Sequence, residues 1–227
     1  MLSIIIPTLN EEKYLADCLK SLPCDQCEVI VIDGGSTDNT VTIAENFGVQ
    51  VMRLNISNRA VQMNTGATLA KGDTFLFFHA DSRLPPKGVE AIITRMDHCQ
   101  IIGGGFSLNF FPFHPFYALL AASSNIFCRM TRMIFGDRGI FIRSVDFWRL
   151  GGFPEIDIME DAALATVMRQ SGKIVILPDT VMTSARKYAN ETKIQAIYRT
   201  MWAYVAYRIG VPAKKIRDGY YGLTPKK

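Results

Sequence analysis

Residues 29–40 read VIVIDGGSTDNT, in which a short apolar run ends at Asp33 and turn-forming residues follow. Residues 75–82 read FLFFHADS and repeat the pattern, with Asp81 just behind the apolar run. Unbroken apolar runs of this length are typical of strands that are buried in a parallel sheet. Because ligands of open α/β sheets bind at the carboxyl ends of the strands, we expect both carboxylates to face one cleft. Capping of the turn explains Asp33 alone equally well.

Strand and helix alternate along the chain. Strands are expected at 2–6, where Pro7 ends the strand, and at 29–32, 49–54, 75–78, 101–109 and 139–142. Helices are expected at 40–46, 58–70, 88–96, 116–128, 159–170 and 193–209, and one more is expected after the cap residue Asn10, reaching Leu22. This order predicts an α/β fold with a mostly parallel, Rossmann-like sheet flanked by helices. The length of 227 residues suits one domain, placed at 1–190, with a C-terminal helical appendage at 191–227.

The composition is that of an ordinary globular protein, with 48% hydrophobic and 20% charged residues. A net charge of +4 suits phosphate-bearing ligands or an anionic membrane surface. The lysines and arginines are scattered, apart from the stretch at 214–217, so no nucleic-acid partner is expected. Five cysteines at irregular positions, with no signal peptide, indicate a reducing compartment and a cytoplasmic location.

An acidic pair, Glu160 and Asp161, opens the helix expected at 159–170. The positive end of the helix dipole favours acidic residues, which explains the pair without any function. A carboxylate held at a helix start could instead face the cleft and serve as a general base. The residues alone leave both interpretations open.

Four strings, in this order, resemble family 2 glycosyltransferases with the GT-A fold. They are IIIPTLNEE at 4–12, DGGSTDNT at 33–40, HADS at 79–82, and GGF at 151–153 followed by MEDAAL at 159–164. The resemblance covers about positions 1–180. More narrowly, residues 58–73 and 136–161 resemble a small bacterial branch of that family whose members are often named only as transferases.

The resemblance implies an enzyme that moves a sugar from a nucleotide-diphosphate sugar to an acceptor hydroxyl and inverts the anomeric centre. Among similar enzymes the donor is commonly a UDP-hexose. Asp161 would be the catalytic base, and Asp81 would hold Mg²⁺ or Mn²⁺ on the diphosphate. A larger set would contact the substrates: Pro7, Thr8 and Glu11 at the nucleoside, Asp33 and Gly34 at the base, and Glu160 beside Asp161.

One position departs from the family pattern, because His79 stands where the metal-binding DxD motif has its first aspartate. A neutral imidazole could ligate Mn²⁺, hydrogen-bond the ribose or simply close the strand. His79 is therefore a candidate metal ligand beside Asp81, with these alternatives open.

Further candidates for the donor are polar residues in apolar surroundings. Arg59, Gln62 and Asn64 lie on the helix expected at 58–70 and could bind the sugar or the diphosphate, or could form a solvated helix face. Asp137 and Arg138 precede an apolar strand and could approach the donor sugar or form a local ion pair.

Two segments suggest an apolar or lipid-linked acceptor. No Asp, Glu, Lys or Arg lies between His98 and Arg129, and the apolar run there is too short to span a membrane. The helix at 193–209 mixes aromatic residues with arginines, which suits a bilayer surface and peripheral contact at the inner face of the cell membrane. It could equally pack on the domain or build a homodimer.

Other classes fit the sequence less well. A non-catalytic nucleotide-binding scaffold would keep the fold without the full acidic set. A nucleotidyltransferase usually needs a basic, glycine-rich loop after its first strand, whereas PTLNEE at 7–12 is acidic and has no glycine. No G-x-G-x-x-G follows a strand, which argues against a dehydrogenase.

Overall fold

The structure is a computed structural model that describes residues 1–188 and 192–222. Its strands are β1 (Leu2–Thr8), β2 (Glu28–Asp33), β3 (Gln50–Arg53), β4 (Thr74–Phe77), β5 (Ser82–Arg83), β6 (Ile101–Phe111), β7 (Ile140–Arg143) and β8 (Lys173–Ser184). Its helices are α1 (Leu15–Lys20), α2 (Thr40–Asn46), α3 (Arg59–Leu69), α4 (Gly88–Met96), α5 (Pro115–Thr131), α6 (Ser144–Arg149), α7 (Glu160–Ser171), α8 (Lys193–Arg208) and α9 (Ala213–Tyr221). Short 3-10 turns lie at Gly136–Arg138 and Ala185–Tyr188.

The strands form one sheet in the order β3-β2-β1-β4-β7-β6-β8-β5. Strands β3, β2, β1 and β4 run parallel, as do β6 and β8, whereas β7 is antiparallel to both of its neighbours. The expected mostly parallel, Rossmann-like sheet is confirmed. The register pairs Thr8 with Asp33, so the last residues of β1 and β2 lie side by side.

Each face of the sheet has its own hydrophobic cluster. Along β1, Ile4 and Ile6 belong to one cluster and Ile5 to the other, as the alternation of side chains in a strand requires. Helices α1, α2 and α4 cover the first face, and α3, α6 and α7 cover the second. A fully buried isoleucine stabilises the fold by about 1.5–3 kcal/mol, so burial on both faces holds the strand ends in place.

The connection after β1 differs from expectation. Strand β1 runs through Pro7 to Thr8, because its pairing with β4 already ends at Ile5 and Pro7 interrupts no ladder there. Asn10 does not cap a helix. It has a φ of 56°, its side chain accepts a hydrogen bond from the Thr37 amide at 2.9 Å, and α1 begins only at Leu15. The loop is therefore tied to the turn after β2.

The longest unpredicted element is β8. The register between β6 and β8 shifts from Phe106–Leu177 to Ser107–Thr180, so Pro178 and Asp179 bulge out of the ladder. In the sequence, a proline followed by an aspartate predicts the end of a strand, although β8 continues past both residues.

The C-terminal part continues with two helices. Helix α8 lies within one residue of the segment expected at 193–209, and Tyr204 and Tyr207 pack against the second hydrophobic cluster. The expected boundary at 190–191 lies outside the described residues, so the division into domain and appendage stays a prediction. Within the described ranges, no helix combines the length and the apolar character that crossing a bilayer requires.

Candidate active site

The carboxyl ends of β1 and β2 form the first wall of the site. The Thr8 hydroxyl donates to the Asp33 carboxylate at 3.2 Å, and the same carboxylate accepts the amides of Gly35 at 3.0 Å and Ser36 at 2.9 Å. Thr8 and Asp33 are both buried. Asp33 therefore organises the turn after β2, and its contact with a nucleobase stays a prediction.

Gln62 of α3 joins the ends of these two strands. Its buried amide donates to the carbonyl oxygens of Thr8 and Ile32, both at 2.8 Å. A Cβ at Gly34 would lie 3.0 Å from the Gln62 Nε2 atom, so the glycine leaves room for the amide. Gln62 is therefore not on a solvated helix face, because its side chain is hydrogen-bonded to backbone atoms of β1 and β2.

Asn64, on the same helix, holds a second loop. Its side chain donates to the Phe153 carbonyl at 2.8 Å and accepts the Phe153 amide at 2.9 Å. Gly152 has a φ of +70° that favours glycine, and a Cβ there would lie 2.9 Å from the Asn64 Oδ1 atom. Asn64 thereby fixes the Gly-Gly-Phe loop that leads toward α7.

A cleft of about 410 Å³ opens beside these strand ends. Its walls include six of the predicted residues, namely Pro7, Thr8, Glu11, Arg59, Gln62 and Glu160. They also include Arg217 and Tyr221 of α9, which sequence reasoning did not place here. Arg217 reaches the cleft because it pairs with Asp157 at 3.1 Å, in the loop before α7. The only sequence signal for Arg217 was the basic stretch at 214–217.

Glu160 is a buried acid in the wall of this cleft. Its side chain is only 5% exposed, and its Oε1 atom lies 3.3 Å from the Arg59 Nη1 atom. No hydrogen bond to that oxygen is found within the described part of the chain. Burial raises the pKa of Glu160, Arg59 opposes the shift, and the charge of Asp161 adds to it.

Asp161 lies at the start of α7, where two backbone amides bind its carboxylate. Gly136 donates to Oδ2 at 2.6 Å and Ala162 donates to Oδ1 at 2.7 Å. A Cβ at position 136 would lie 2.8 Å from the His79 Nε2 atom and 3.2 Å from the Asp161 Oδ2 atom. His79 and Asp161 therefore approach the same glycine from two different elements.

The surroundings of His79 decide its charge. Burial lowers the pKa of His79, and the cationic Arg59 lowers it further, so the imidazole is neutral at pH 7. Its side chain lies at Gly136, whereas the Asp81 carboxylate is bound by an arginine from the 3-10 turn after β8. Across the described residues, no three His, Cys, Asp or Glu side chains converge as a metal site.

That arginine is Arg186, which sequence reasoning missed. Its two Nη atoms donate to the Glu11 carboxylate at 2.7 and 2.6 Å, and its Nε atom lies 2.8 Å from the Asp81 Oδ2 atom. Burial raises the pKa of Glu11, and Arg186 opposes that shift. Because β8 was not predicted, nothing in the sequence placed the residues after it at this edge of the sheet.

Asp137 and Arg138 point in different directions. Asp137 pairs with Lys187 at 2.9 Å; although burial opposes the shift, Lys187 and Arg138 lower the pKa of Asp137 to about 2. Arg138 is fully buried and donates to the Asn125 side chain at 2.7 Å and to the Phe106 carbonyl at 3.2 Å. The expectation that Arg138 approaches the donor sugar is corrected, because its guanidinium holds α5 against β6.

A known family profile, Glycosyl transferase family 2, matches residues 3–148. The chain belongs to this family. The match covers the strands and helices that supply Thr8, Asp33, Gln62 and Asp81, and it confirms the resemblance seen in the sequence. This chain is therefore placed among glycosyltransferases.

Curated relatives of this family 2 chain are similar over part of their length. A "PGL/p-HBAD biosynthesis glycosyltransferase" of Mycobacterium tuberculosis is 41% identical over 93 residues, which are 37% of this chain and 36% of the relative. A "Dolichyl N-acetyl-alpha-D-glucosaminyl phosphate 3-beta-D-2,3-diacetamido-2,3-dideoxy-beta-D-glucuronosyltransferase" of Methanococcus voltae is 34% identical over 91 residues, 35% of this chain and 28% of the relative. The matched region thus spans about a third of these relatives.

Solved structures show the same fold. S. aureus TarS 1-349 in complex with UDP has a TM-score of 0.67 and 17% identity, covering 97% of this chain and 70% of that one. Mannosyltransferase PcManGT from Pyrobaculum calidifontis, in complex with GDP-Man and Mn²⁺, has a TM-score of 0.68 and 17% identity, covering 98% and 68%. These likenesses confirm the GT-A fold of the family 2 chain.

Outside the cleft, this glycosyltransferase exposes apolar side chains on two neighbouring helices. Leu119, Ile126 and Met130 form a stripe on α5, and Ile194, Tyr198, Met201 and Val205 form a stripe on α8. The helices touch through the rings of Phe127 and Tyr204, whose centroids are 6.0 Å apart. We call the two stripes together the apolar helix surface. Met130 is 80% exposed and Ile194 is 77% exposed.

Proposed function

We propose that this protein transfers a sugar from a nucleotide-diphosphate sugar to an acceptor hydroxyl, with inversion at the anomeric carbon. The observation that supports this function best is the single cleft that contains Pro7, Thr8, Glu11, Arg59, Gln62 and Glu160. These residues come from three separate stretches of the chain, and Asp161 directly follows the last of them. A cleft at the carboxyl ends of parallel strands is where α/β proteins bind ligands.

Asp161 is the general base of the proposed reaction. Its carboxylate takes the proton from the acceptor hydroxyl while the hydroxyl oxygen forms a bond to the anomeric carbon. The bond from that carbon to the phosphate oxygen breaks, and nucleoside diphosphate leaves. The amides of Gly136 and Ala162 hold the carboxylate in one orientation. A positioned base contributes about two to four orders of magnitude in rate.

A UDP-hexose is the proposed donor. TarS has been solved in complex with UDP and with UDP-GlcNAc, and PcManGT in complex with GDP-Man and Mn²⁺. At 16–17% identity these structures share only the fold with this chain. The nucleobase and the sugar of the donor therefore have to be identified by the binding experiment below. Thr8, which lines the cleft and donates a hydrogen bond to Asp33, supports a nucleoside position at the ends of β1 and β2.

Asp81 and His79 are the proposed ligands of Mg²⁺ or Mn²⁺. A single carboxylate fits a cation that takes its other ligands from diphosphate and water, as Mg²⁺ commonly does. The neutral imidazole of His79 is in the state that a metal ligand requires. Asp81 fits the ion only after its contact with Arg186, at 2.8 Å, has changed. A bound ion would neutralise negative charge on the leaving diphosphate.

Donor binding is tested by calorimetry with UDP, GDP, UDP-GlcNAc, UDP-glucose and GDP-mannose, with and without Mn²⁺. We expect one nucleotide to bind tightly in the presence of metal and to lose that affinity in Asp81→Ala. The matched control is Asp17→Ala, which removes an exposed carboxylate that pairs with Arg83 at 2.6 Å outside the cleft. Absence of binding by the folded wild type would contradict the proposal.

The rival function is a nucleotide-binding scaffold without catalysis. Release of nucleoside diphosphate from a labelled donor, in the presence of bacterial lipid extract as acceptor, separates the two functions. Transfer by the wild type and its loss in Asp161→Asn support the enzyme. Tight nucleotide binding with no release by either protein supports the scaffold.

An apolar or lipid-linked acceptor and peripheral membrane contact are proposed from the apolar helix surface. Exposed patches of this kind mark contacts with a membrane or a partner. Sedimentation with phosphatidylglycerol vesicles tests membrane contact, and the double variant Met130→Ser/Ile194→Ser should remain in the supernatant. Val145→Ser is the control, because Val145 is exposed on α6, outside this surface. A dimer in analytical ultracentrifugation that the double variant dissociates would assign the surface to a homodimer instead.

A further inference from the structure

We propose that Arg186 binds the diphosphate of the donor, as a cation that the protein itself supplies. The inference rests on the proposed function, since it assumes a nucleotide-diphosphate sugar in the cleft. It adds a residue from the 3-10 turn after β8, which belongs to none of the motifs in the first half of the chain.

The position of Arg186 follows from its two acidic partners. Glu11, which accepts both Nη atoms, lines the cleft where the nucleoside is proposed. Asp81, 2.8 Å from Nε, is the proposed cation ligand. The diphosphate of a nucleotide sugar connects the nucleoside with the sugar and carries the cation, so it passes between these two positions. The Arg186 guanidinium already lies there.

The chemistry of the guanidinium suits this ligand. Its planar group binds phosphate oxygens through paired, charge-assisted hydrogen bonds. Each Nη atom of an arginine has two N–H groups, and one on each suffices for the contact with Glu11. The guanidinium lies 4.7 Å from the Tyr14 ring centre, which fixes its plane, and its side chain is 38% exposed, so a ligand can reach it.

The charge balance explains why two acids hold one arginine. Two carboxylates and one guanidinium have a net charge of −1, and this negative charge attracts an incoming cation. When the cation binds Asp81, the Nε edge of Arg186 becomes available to phosphate while Glu11 keeps the side chain in place. Lys187, the next residue, is held by Asp137 at 2.9 Å and does not share this position.

The test compares a nucleoside diphosphate with its nucleoside. Binding of UDP and uridine, with GDP and guanosine in parallel, is measured by ligand-observed NMR in the presence of diamagnetic Mg²⁺. We expect Arg186→Met to weaken UDP binding about ten- to a hundredfold and to leave uridine binding unchanged, since a hydrogen bond to a charged group contributes about 1.5–3 kcal/mol. Arg186→Lys, which keeps the charge and loses the paired geometry, should weaken UDP about threefold or more.

Controls separate contact from folding. Arg83→Met removes another arginine that is paired with a carboxylate, at 2.6 Å from Asp17, and should leave both affinities unchanged. Equal losses of UDP and uridine in both Arg186 variants would mean that the arginine only shapes the pocket, and would overturn the inference. If Arg186→Met does not fold, Arg186→Lys decides the question. If the wild type binds UDP or GDP and the Arg186 variants bind it equally well, the inference about Arg186 is wrong and the proposed function stands. If the wild type binds neither nucleotide, the proposed function is contradicted as well.

Discussion

The backbone amide of Gly136 and the carboxylate of Asp161 form a 2.6 Å hydrogen bond between the 3-10 turn before β7 and the start of α7. The acid therefore has its orientation set by a residue 25 positions earlier in the chain. A side chain at position 136 would also collide with His79. This relationship turns an ordinary acidic helix start into a positioned carboxylate.

Replacement of Gly136 by alanine should reduce transfer without unfolding the protein. The added Cβ would lie 2.8 Å from His79 Nε2, closer than carbon and nitrogen atoms approach without a shift, and 3.2 Å from Asp161 Oδ2. We expect a loss in kcat of about tenfold or more, since small displacements of catalytic groups are costly. Steady-state kinetics gives the rate, and thermal unfolding checks the fold. An unchanged kcat would separate Gly136 from the catalytic geometry.

Asp161→Asn should abolish most of the transfer and retain donor binding. The amide accepts the same hydrogen bond from Gly136 but cannot take the acceptor proton. We expect kcat to fall about a hundred- to ten-thousandfold, which is the usual contribution of a general base. Calorimetric affinity for the donor should stay within about twofold, because only the transition state uses the base. A mutant with normal kcat would assign the base to another residue.

Gln62→Met should loosen the nucleoside end of the cleft. The substitution keeps the volume of the side chain and removes the donors to the Thr8 and Ile32 carbonyl oxygens. The Thr8 carbonyl keeps the Gly34 amide as a partner at 2.9 Å, so the cost is the loss of two buried hydrogen bonds. Each contributes about 0.5–1.5 kcal/mol, so urea unfolding should show a loss of about 1–3 kcal/mol. Thr65→Ser, a neighbouring change on the same helix, is the control. An unfolding free energy equal to that of the wild type would contradict the bridging role.

The pair of Asp137 and Lys187 should make stability depend on pH at the acidic end. The pKa of Asp137 is lowered to about 2 in the folded protein, below the value of about 3.9 for an unfolded chain. Its ionised form therefore stabilises the fold above about pH 4, by about 2 kcal/mol, and this contribution disappears as the pH falls from 4 to 2. The difference in unfolding free energy between wild type and Asp137→Asn should shrink across that range.

The control for this measurement is Asp25→Asn, which alters an exposed aspartate far from Lys187 in sequence. Its difference from the wild type should remain near zero at every pH. A difference for Asp137→Asn that stays constant from pH 5 to pH 2 would show that Lys187 does not stabilise the ionised carboxylate.

Local patterns were sufficient for several elements. Helices α2 and α4 begin and end at the residues expected from the sequence, because apolar spacing and end preferences act within a few residues. The strand at Glu28–Asp33 was recognisable for the same reason, from its apolar run and the turn residues behind it. By contrast, β8 was not predicted, since Pro178 and Asp179 interrupt its pattern while distant pairing with β6 preserves the strand.

The candidate site divides in a similar way. The strand-end pattern selected Asp33 and Asp81, and the resemblance to family 2 glycosyltransferases added Glu11 and Asp161. The sequence also selected Gln62 and Asn64 as ligand candidates, since a polar residue on an apolar helix has no visible partner in the sequence. Their partners are backbone atoms of Thr8, Ile32 and Phe153, up to 89 positions away, which only the packed structure brings near.

By itself, the sequence determined the strand-and-helix order, the family and the acidic residues, because these depend on neighbours along the chain. Only the tertiary structure decided which side chains face the cleft and which charges meet. The contact between Glu11 and Arg186 joins residues 175 positions apart, and Arg217 reaches the same cleft from the last described helix. Such ion pairs leave no periodic pattern in the sequence, since they arise from the packing of whole elements and not from local backbone preference.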